Sequence, residues 1–411
     1  MMGACMKPTL CMIHEEIGQH SAISKVAMAG VCVALQSGYS VTVVAQKLDK
    51  SLQGNVEWLP LYKPGRVFLY QWLIARKAIA AALGSREFDI VHVHQPQVAD
   101  FADLMQCHFL TRSAYEHNAL DRPEGLRSTL SYLQQRGVLL AEDRFWRNFP
   151  DSTHLLFCSE MLQREHDRLY GNPLLSRTIE NGIAPFRIPS EGERAAARSR
   201  FAPGAGKRLV VGYLGGAVER KGWRRLVAAL TPEDGLYLLI GGQFTANLNL
   251  STLPGCHNGI GIVTDIDAFY AACDVFVVPS LFDPCPLVVF EAIARGVPVI
   301  ATRGVGSLPT LLRHRAGYEW QPEDSLADLI HFAIDNREAC HIGGKHMAHE
   351  QSVAIQTAKV LDAYEQILEE QLRTRNASGT EFAKRAGRTL GAGECKSQGN
   401  ESKYGSSSIK L

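Results

Sequence analysis

Short apolar runs alternate with amphipathic segments along most of this chain, and the alternation begins twice. The first series of apolar runs is TLCMI (9–13), YSVTVVA (39–45), FDIVHVH (88–94) and HLLFCSE (154–160). The second series is RLVVGYLGG (208–216), LYLLIGG (236–242), DVFVVPS (274–280) and PVIAT (298–302). Alternation of strands with helices predicts parallel sheets covered by helices. Two separate series predict two doubly wound domains rather than one large sheet.

The domain boundaries follow from length and from shifts in composition. A chain of 411 residues suits two domains of roughly 150–200 residues each. We predict an N-terminal domain over 1–186 and a C-terminal domain over 207–354, joined by a linker at 187–206 that is rich in charge, Pro and Gly. A helical pattern follows at 355–373, and the Gly-, Ser- and Lys-rich tail at 374–411 is predicted to be disordered.

Composition excludes several classes of protein. The net charge is +1, with 43 basic and 42 acidic side chains, so nothing global favours a nucleic-acid partner, and anion recognition must come from local clusters. The ten cysteines show no zinc-ligand spacing and are predicted to be free, buried thiols. No apolar run reaches the roughly 20 residues that span a bilayer, and no signal peptide follows Met1. These features predict a cytoplasmic protein and leave a peripheral position on the inner face of the membrane open.

The strongest site signal lies in SLFDPCPLVVFEAIARGVPVIATRGVG, at 280–306. A strand ends there, and ligands of open α/β sheets bind outside the carboxyl ends of strands. The start of the next helix offers the backbone N–H groups of Leu287 and Val288 to a diphosphate. The carboxylates of Asp283 and Glu291 suit sugar hydroxyls, because a carboxylate accepts two hydrogen bonds from a vicinal diol. The alternative is that Asp283 caps a helix and Glu291 is a solvated helix residue.

A second signal lies in GYLGGAVERKGW, at 212–223. Gly215 and Gly216 end a predicted strand, and Arg220 and Lys221 precede the next helix. Two cations at such a connection can neutralise a diphosphate leaving group. Alone, a basic pair is more often a solvated surface, and a glycine pair is weak support for a dinucleotide site.

Taken together, the RKG turn and the acidic-x7-Glu segment that ends in GVPVIAT resemble the retaining glycosyltransferases of family four, which have the GT-B fold. The resemblance spans roughly 8–370, and within the family it is closest to the lipopolysaccharide core glucosyltransferases. The subgroup resemblance rests on GGAVERKG (215–222), YLQQRGVLLAEDRFW (132–146) and HLLFCSEMLQREHDRLYG (154–171) followed by ENGI. It implies two facing Rossmann-like domains and a C-terminal helix that returns toward the N-terminal domain.

The resemblance also implies roles for individual residues. Arg220 and Lys221 would contact the phosphates of the donor, together with the backbone N–H groups of Leu287 and Val288. Glu291 would hold the ribose hydroxyls, while Asp283 would hold hydroxyls of the transferred sugar. His108, in MQCHFLTR, corresponds to the active-site histidine near the anomeric carbon, although a lone histidine is more often structural. His92 and His94 are predicted to be core or strand-end residues.

The chain departs from the family pattern at two loops. The family usually has Gly-Gly at the first strand-to-helix loop, where this chain has Ser21-Ala22, so Gly18 would take part of that role. Many members carry an arginine just after the first strand of the second domain, where this chain has Gly215-Gly216.

The implied reaction is transfer of a hexose from a UDP- or GDP-sugar to a saccharide or lipid-linked saccharide, with retention of anomeric configuration, in lipopolysaccharide or other cell-surface polysaccharide biosynthesis. No metal cofactor is expected, and Asp265 and Asp267 in TDID are interpreted as a helix start. The run at 66–83 would either lie on an anionic membrane or pack on the first sheet. A sugar-nucleotide epimerase with the same fold and a non-catalytic nucleotide-sugar-binding module remain as alternatives.

Overall fold

The computed structural model describes residues 7–19, 21–61, 68–94, 102–119, 127–216, 218–246, 248, 252–253 and 255–378. The strands of the N-terminal half are β1 (Thr9–Ile13), β2 (Glu16–Ile17), β3 (Ser40–Ala45), β4 (Lys47–Leu48), β5 (Glu57–Pro60), β6 (Ile90–Val93), β7 (Leu104–Cys107), β8 (His154–Phe157) and β9 (Ser176–Thr178). Those of the C-terminal half are β10 (Leu209–Leu214), β11 (Leu236–Gly241), β12 (His257–Gly259), β13 (Val275–Val278), β14 (Val299–Ala301) and β15 (Gly317–Glu319).

Helices separate most of these strands. The first group is α1 (Ala22–Gln36), α2 (Phe68–Leu83), α3 (Thr111–Glu116), α4 (Arg127–Arg147) and α5 (Glu160–Tyr170). The second group is α6 (Glu191–Phe201), α7 (Trp223–Ala228), α8 (Ile266–Ala272), α9 (Leu287–Ile293), α10 (Leu308–Arg313), α11 (Leu326–Asp335), α12 (Arg337–Glu350) and α13 (Val353–Ser378).

The described strands form two main parallel sheets, one in each half of the chain. The N-terminal sheet has the order β5-β3-β1-β6-β7-β8-β9, and the C-terminal sheet has the order β12-β11-β10-β13-β14-β15. In both sheets the strand order reverses beside the first long strand, between β1 and β6 and between β10 and β13. Such a reversal opens a crevice at the carboxyl ends of the strands, where doubly wound sheets bind ligands. The predicted pair of doubly wound domains is confirmed.

Helix α13 packs on the N-terminal domain, as predicted for the C-terminal segment. The Tyr364 hydroxyl lies 2.8 Å from His92 Nδ1, and the side-chain Nε2 of Gln371 donates to the backbone oxygen of Asp89 at 3.1 Å. Tyr364 is fully buried in the core between α1, α13 and one face of the N-terminal sheet. The chain therefore crosses from the second domain back to the first. The helix is longer than the predicted 355–373 and includes five residues assigned to the tail; residues 379–411 lie outside the described part.

The predicted linker at 187–206 is wrong in one respect, because most of it is helix α6. Ser190 and Glu193 form a capping box that starts this helix, which explains how a polar segment becomes ordered. Arg194 and Arg198 then bind Asp274, at 2.7 and 2.6 Å, and anchor α6 to the C-terminal domain. Part of the charge in this segment therefore serves these ion pairs, which fix α6 on the C-terminal domain.

The two chain crossings between the domains are hydrogen-bonded to each other. The Ile183 amide donates to the Gln351 oxygen at 2.6 Å, and the Val353 amide donates to the Ile183 oxygen at 3.2 Å. The Gly182 amide donates to the Gln356 side chain at 2.9 Å. A Cβ at Gly182 would lie 2.3 Å from Val353 Cα, so only glycine allows this approach.

We expect Gly182→Ala to lower the free energy of unfolding by about 2 kcal/mol, because the added methyl forces the two crossings apart. Differential scanning calorimetry would measure the change. Gly192→Ala is the matched control, since nothing lies within 4 Å of a Cβ at this position in α6 and alanine favours a helix. If both variants melt like the wild type, the close packing of the crossings is contradicted.

Candidate active site

The turn between β10 and α7 is held against the end of β13 by a close backbone contact. Gly222 has a φ of 72°, and a Cβ there would lie 1.9 Å from the Pro279 oxygen. The Leu281 amide donates to the Arg220 oxygen at 2.8 Å. Arg220 and Lys221, which lie in the short 3-10 turn Glu219–Lys221, are therefore fixed beside the β13 loop.

The loop that carries Asp283 is clamped by the glycine-rich turn after β14. The Asp283 amide donates to the Gly304 oxygen at 2.7 Å, and the Gly306 amide donates to the Asp283 oxygen at 2.9 Å. A Cβ on Gly304 would lie 2.3 Å from the Leu281 oxygen. Asp283 does not cap α9, whose N-cap is Pro286 without a side-chain hydrogen bond. The capping interpretation of Asp283 is therefore wrong.

The two predicted cations converge on the Asp283 carboxylate. Lys221 Nζ donates to Oδ2, and Arg220 Nη1 lies 3.7 Å from Oδ1. Only 9% of the Asp283 side chain is exposed, so this carboxylate needs cationic partners. Together the three side chains carry one excess positive charge, which favours a bound anion.

Arg220 has a buried donor that is not used within the described part of the protein. Among the described residues, its Nη1 atom is buried without a hydrogen-bond acceptor. Its guanidinium carbon lies 5.4 Å from the ring centroid of Phe109, in the N-terminal domain. Arg220 is thus held at the interface of the two domains with an unused donor.

Gly215 and Gly216 shape the neighbouring turn. Their amides both point to the Gly241 oxygen, at 3.2 and 3.3 Å, so these N–H groups are already paired. Gly216 has a φ of 71°, and a Cβ there would lie 2.9 Å from the Gln243 oxygen. Beside this turn is a small pocket lined by Tyr213, Leu214, Gly215, Lys221, Phe276, Val277, Val278, Ser280, Asp283 and Val288.

Glu291 lies within α9 and faces the cleft between the domains. Its Oε1 atom lies 2.9 Å from Lys25 Nζ of the N-terminal domain, and its Oε2 atom lies 3.2 Å from the Tyr270 hydroxyl. The side chain is 18% exposed, so it is not the fully solvated helix residue of the alternative interpretation. Leu287 and Val288 occupy the first turn of α9, where backbone N–H groups have no partner within the helix.

His108 belongs to a cluster of histidines at the carboxyl ends of β1, β6 and β7. His108 Nε2 lies 2.9 Å from His94 Nδ1, and the His94 ring stacks on that of His92 with 4.5 Å between the centroids. His14 lies beside His94, with 5.7 Å between the ring centroids. Burial lowers the pKa of His92 to about 3 and, with the nearby His14 and His92, lowers that of His108 to about 3. The imidazoles of His92 and His108 are therefore neutral at physiological pH.

The first loop of the N-terminal domain differs from a glycine-lined phosphate cradle. Ser21 and Ala22 are exposed at the start of α1, where the Ser21 hydroxyl accepts from the Ser24 amide at 3.1 Å. Gly18 is buried, and a Cβ there would lie 3.4 Å from the Asp49 side chain. The capping role of Ser21 explains how this helix begins without the glycine pair.

Of the residues predicted for the C-terminal half of the site, the structure places Gly215, Lys221, Asp283 and Val288 around one pocket. Arg220 contacts the Asp283 carboxylate, and Glu291 lies outside the pocket lining. The structure also adds two that the sequence did not single out, Lys25 and Tyr270, which converge on Glu291 from different helices. Asp265 is the N-cap of α8, as predicted, and its side chain accepts from the Ala268 amide. Within the described ranges, no group of three His, Cys, Asp or Glu side chains is arranged to hold a metal ion.

Of the ten cysteines, the eight in the described part are free thiols; Cys5 and Cys395 lie outside it.

No described helix is long and apolar enough to cross a membrane. In the run at 66–83, residues 66–67 lie outside the described part. Helix α2 exposes Arg76 and Lys77 and buries Ile79 in the core.

Two family models match consecutive parts of the chain. The model for Glycosyltransferase Family 4 matches residues 33–187, and the model for Glycosyl transferases group 1 matches residues 197–347. The first match ends at residue 187 and the second begins at residue 197, just after the first chain crossing, so each match lies in one domain. The chain belongs to glycosyltransferase family 4. The resemblance inferred from the RKG turn and the acidic-x7-Glu segment is confirmed.

Curated relatives of this family 4 chain align over part of their length. A stretch of 103 residues, 24% of this chain and 30% of the relative, is 40% identical to the lipopolysaccharide core biosynthesis glycosyltransferase LpsE of Rhizobium meliloti. A stretch of 231 residues, 48% of this chain and 58% of the relative, is 30% identical to the GDP-mannose-dependent alpha-(1-6)-phosphatidylinositol monomannoside mannosyltransferase of Mycolicibacterium smegmatis. The chain therefore spans less than two thirds of the length of these relatives.

Solved structures match the family 4 chain over nearly its whole described length. WaaG, a glycosyltransferase involved in lipopolysaccharide biosynthesis, matches with a TM-score of 0.69 and 18% identity, covering 86% of this chain and 98% of that one. Anabaena HepE in complex with UDP-glucose matches with a TM-score of 0.63 and 15% identity, covering 87% of this chain and 99% of that one. At such identities the likeness establishes the fold, and the predicted GT-B architecture is confirmed.

The neutral histidine cluster makes stability depend on pH. Between about pH 3 and 6.5 an unfolded chain protonates His92 and His108 while the folded protein does not, so the free energy of unfolding decreases as the pH falls. At pH 5 each histidine would cost about 2 kcal/mol relative to pH 7. We expect His92→Gln to lose about 2 kcal/mol less than the wild type between pH 7.5 and 5 in urea unfolding. Parallel losses in the two proteins would contradict the burial of a neutral His92.

Proposed function

We propose that this chain is a retaining glycosyltransferase that transfers a hexose from a UDP- or GDP-sugar to a saccharide or lipid-linked saccharide acceptor. The observation that carries the proposal is the convergence of Arg220 and Lys221 on Asp283, with a buried Arg220 donor that lacks an acceptor. A nucleoside diphosphate would supply that acceptor and take up the excess positive charge of the three side chains.

Each group has a distinct task in this mechanism. Arg220 and Lys221 stabilise the negative charge of the departing diphosphate, assisted by the N–H groups of the first turn of α9. Asp283 Oδ2 is engaged by Lys221, whereas Oδ1 is beyond hydrogen-bond distance of Arg220 and is the oxygen that would accept from a sugar hydroxyl. Glu291 accepts from the ribose hydroxyls. Neutral His108 lies at the end of β7 on the acceptor side and positions the sugar rather than acting as a cation.

Retention follows if the acceptor hydroxyl attacks the face from which the diphosphate leaves. The bond between the anomeric carbon and the leaving oxygen breaks, an oxocarbenium-like centre forms, and the acceptor oxygen bonds to the same face. The leaving phosphate takes the acceptor proton. The two domains hold the acceptor hydroxyl close to the anomeric carbon on that face and limit hydrolysis by water.

The relatives support our proposal for the acceptor and the pathway. The stretch 40% identical to LpsE supports an acceptor in lipopolysaccharide or other cell-surface polysaccharide biosynthesis. The phosphatidylinositol monomannoside named for the second relative supports a lipid-linked acceptor. We accordingly place the protein in the cytoplasm, at the inner face of the membrane. Contact of its basic α2 surface with anionic lipid is part of the same proposal.

Nucleotide binding is the first test of the proposed function. We expect UDP or GDP at a hundredfold excess over its Kd to stabilise the protein by about 2.7 kcal/mol in thermal unfolding. Incubation with nucleotide-sugars then separates the alternatives: an epimerase converts the donor sugar without acceptor, and a binding module binds without turnover. NMR of the product would report the anomeric configuration. Failure of both nucleotides to stabilise the protein would contradict the proposal.

Lys221→Ala tests the electrostatic mechanism. We expect transfer to fall at least about a hundredfold, because one preorganised cation beside the leaving group is lost. Arg220 remains as a counterion of Asp283, so the variant should stay folded by circular dichroism. Lys207→Ala is the control. Lys207 is exposed and precedes β10, so it lies at the amino ends of the strands, away from the site at their carboxyl ends. Wild-type turnover in Lys221→Ala would remove Lys221 from this role.

Metal dependence is a separate test. Because Arg220 and Lys221 supply the positive charge at the diphosphate, we expect excess EDTA to leave the transfer rate unchanged. A rate that falls with EDTA and returns with added Mg²⁺ or Mn²⁺ would contradict a metal-independent mechanism.

A further inference from the structure

The Glu291 carboxylate is contacted from both domains. Lys25 Nζ, on α1 of the N-terminal domain, lies 2.9 Å from Oε1, and the hydroxyl of Tyr270, on α8 of the C-terminal domain, lies 3.2 Å from Oε2. The Lys25 and Glu291 side chains are 34% and 18% exposed, so water and salt screen this pair less than a pair on the open surface.

We propose that Lys25 is a positioning residue that orients the Glu291 carboxylate toward the ribose hydroxyls of the donor and couples this orientation to closure of the two domains. The inference rests on the proposed function, in which Glu291 holds the ribose. Lys25 itself acts through Glu291 and does not contact the reacting atoms.

Lys25 is the group that decides where the carboxylate points. The Tyr270 hydroxyl has one hydrogen and lies 3.2 Å from both Glu291 Oε2 and the Val288 oxygen. Its hydrogen bond is therefore shared between these two acceptors. Arg295, one turn along, contacts the Glu291 backbone oxygen at 2.9 Å and the Asp267 carboxylate rather than the Glu291 side chain. Among the described residues, Lys25 is thus the cation paired with this carboxylate.

The arrangement leaves room for a vicinal diol. An ionised carboxylate offers about four acceptor positions, two on each oxygen. Lys25 occupies one on Oε1 and Tyr270 one on Oε2. One position on each oxygen remains, which matches the two hydroxyls of a ribose. Lys25 can therefore stay in place when the nucleotide binds.

The same ion pair links nucleotide binding to the distance between the domains. Lys25 lies in the first turn of α1, three residues after Ala22, and Glu291 lies within α9. The pair forms only when these two helices approach each other across the cleft. A nucleotide that binds the oriented carboxylate therefore favours the closed arrangement, and closure raises nucleotide affinity by the same factor.

Isothermal titration of UDP and 2′-deoxy-UDP tests the inference, with GDP and 2′-deoxy-GDP in their place if GDP is the nucleotide bound. We expect Lys25→Met to weaken the ribonucleotide about fivefold, the upper range for a partly exposed ion pair, and Lys25→Arg to restore most of the affinity. The loss should be smaller for the 2′-deoxy nucleotide, which offers Glu291 one hydroxyl fewer. In the Glu291→Gln background, Lys25→Met should cause no further loss.

Lys207→Met is the matched control. It removes an exposed lysine charge at the amino ends of the strands, away from Glu291, and should leave both affinities unchanged. Wild-type affinity in Lys25→Met would overturn the inference. Tighter binding by this variant would also overturn it, because it would mean that the Lys25 ammonium competes with the ribose for Glu291. An equal loss for both nucleotides would also overturn it, because Lys25 would then act on the diphosphate or on the fold. A wild-type protein that binds neither UDP nor GDP would overturn the proposed function and this inference together.

Discussion

A nearly buried carboxylate with two cations, Asp283 with Lys221 and Arg220, is the interaction around which the C-terminal half of the site is arranged. Removing Asp283 from water is unfavourable unless positive charge accompanies it. The fold supplies that charge by pressing the β10 turn against the β13 loop through Gly222 and by clamping the loop with Gly304. The backbone contacts that position these two loops therefore also bring the three charged side chains together.

Aromatic and ionic side-chain contacts join the two domains at the cleft. Phe282, next to Asp283, packs against Phe109 and His117 of the N-terminal domain, with 5.5 Å between ring centroids in each case. Lys25 and Glu291 form an ion pair across the same cleft. These contacts join side chains, whereas the crossings at Ile183 and Val353 are paired through backbone hydrogen bonds. A hinge at the crossings with separable contacts at the cleft suits a protein that must admit and release a donor.

The histidine cluster gives the N-terminal side of the cleft a different character. His108 shares a hydrogen bond with His94, and burial keeps both rings neutral. A neutral imidazole can donate or accept a hydrogen bond, yet it adds no charge to that of Arg220 and Lys221. The positive charges beside Asp283 thus come from Arg220 and Lys221 of the C-terminal domain.

The sequence alone determined the two parallel sheets, because the alternation of apolar strands and helices is a local pattern. It also predicted that Arg220, Lys221 and Asp283 lie close together, because residues that follow the strands of one parallel sheet meet at the carboxyl ends of those strands. It mistook the helix at 191–201 for linker, since the capping box and the ion pairs to Asp274 outweigh a polar composition. Only the tertiary structure brought Lys25 to Glu291, 266 residues apart, because that contact depends on how two separately folded domains face each other.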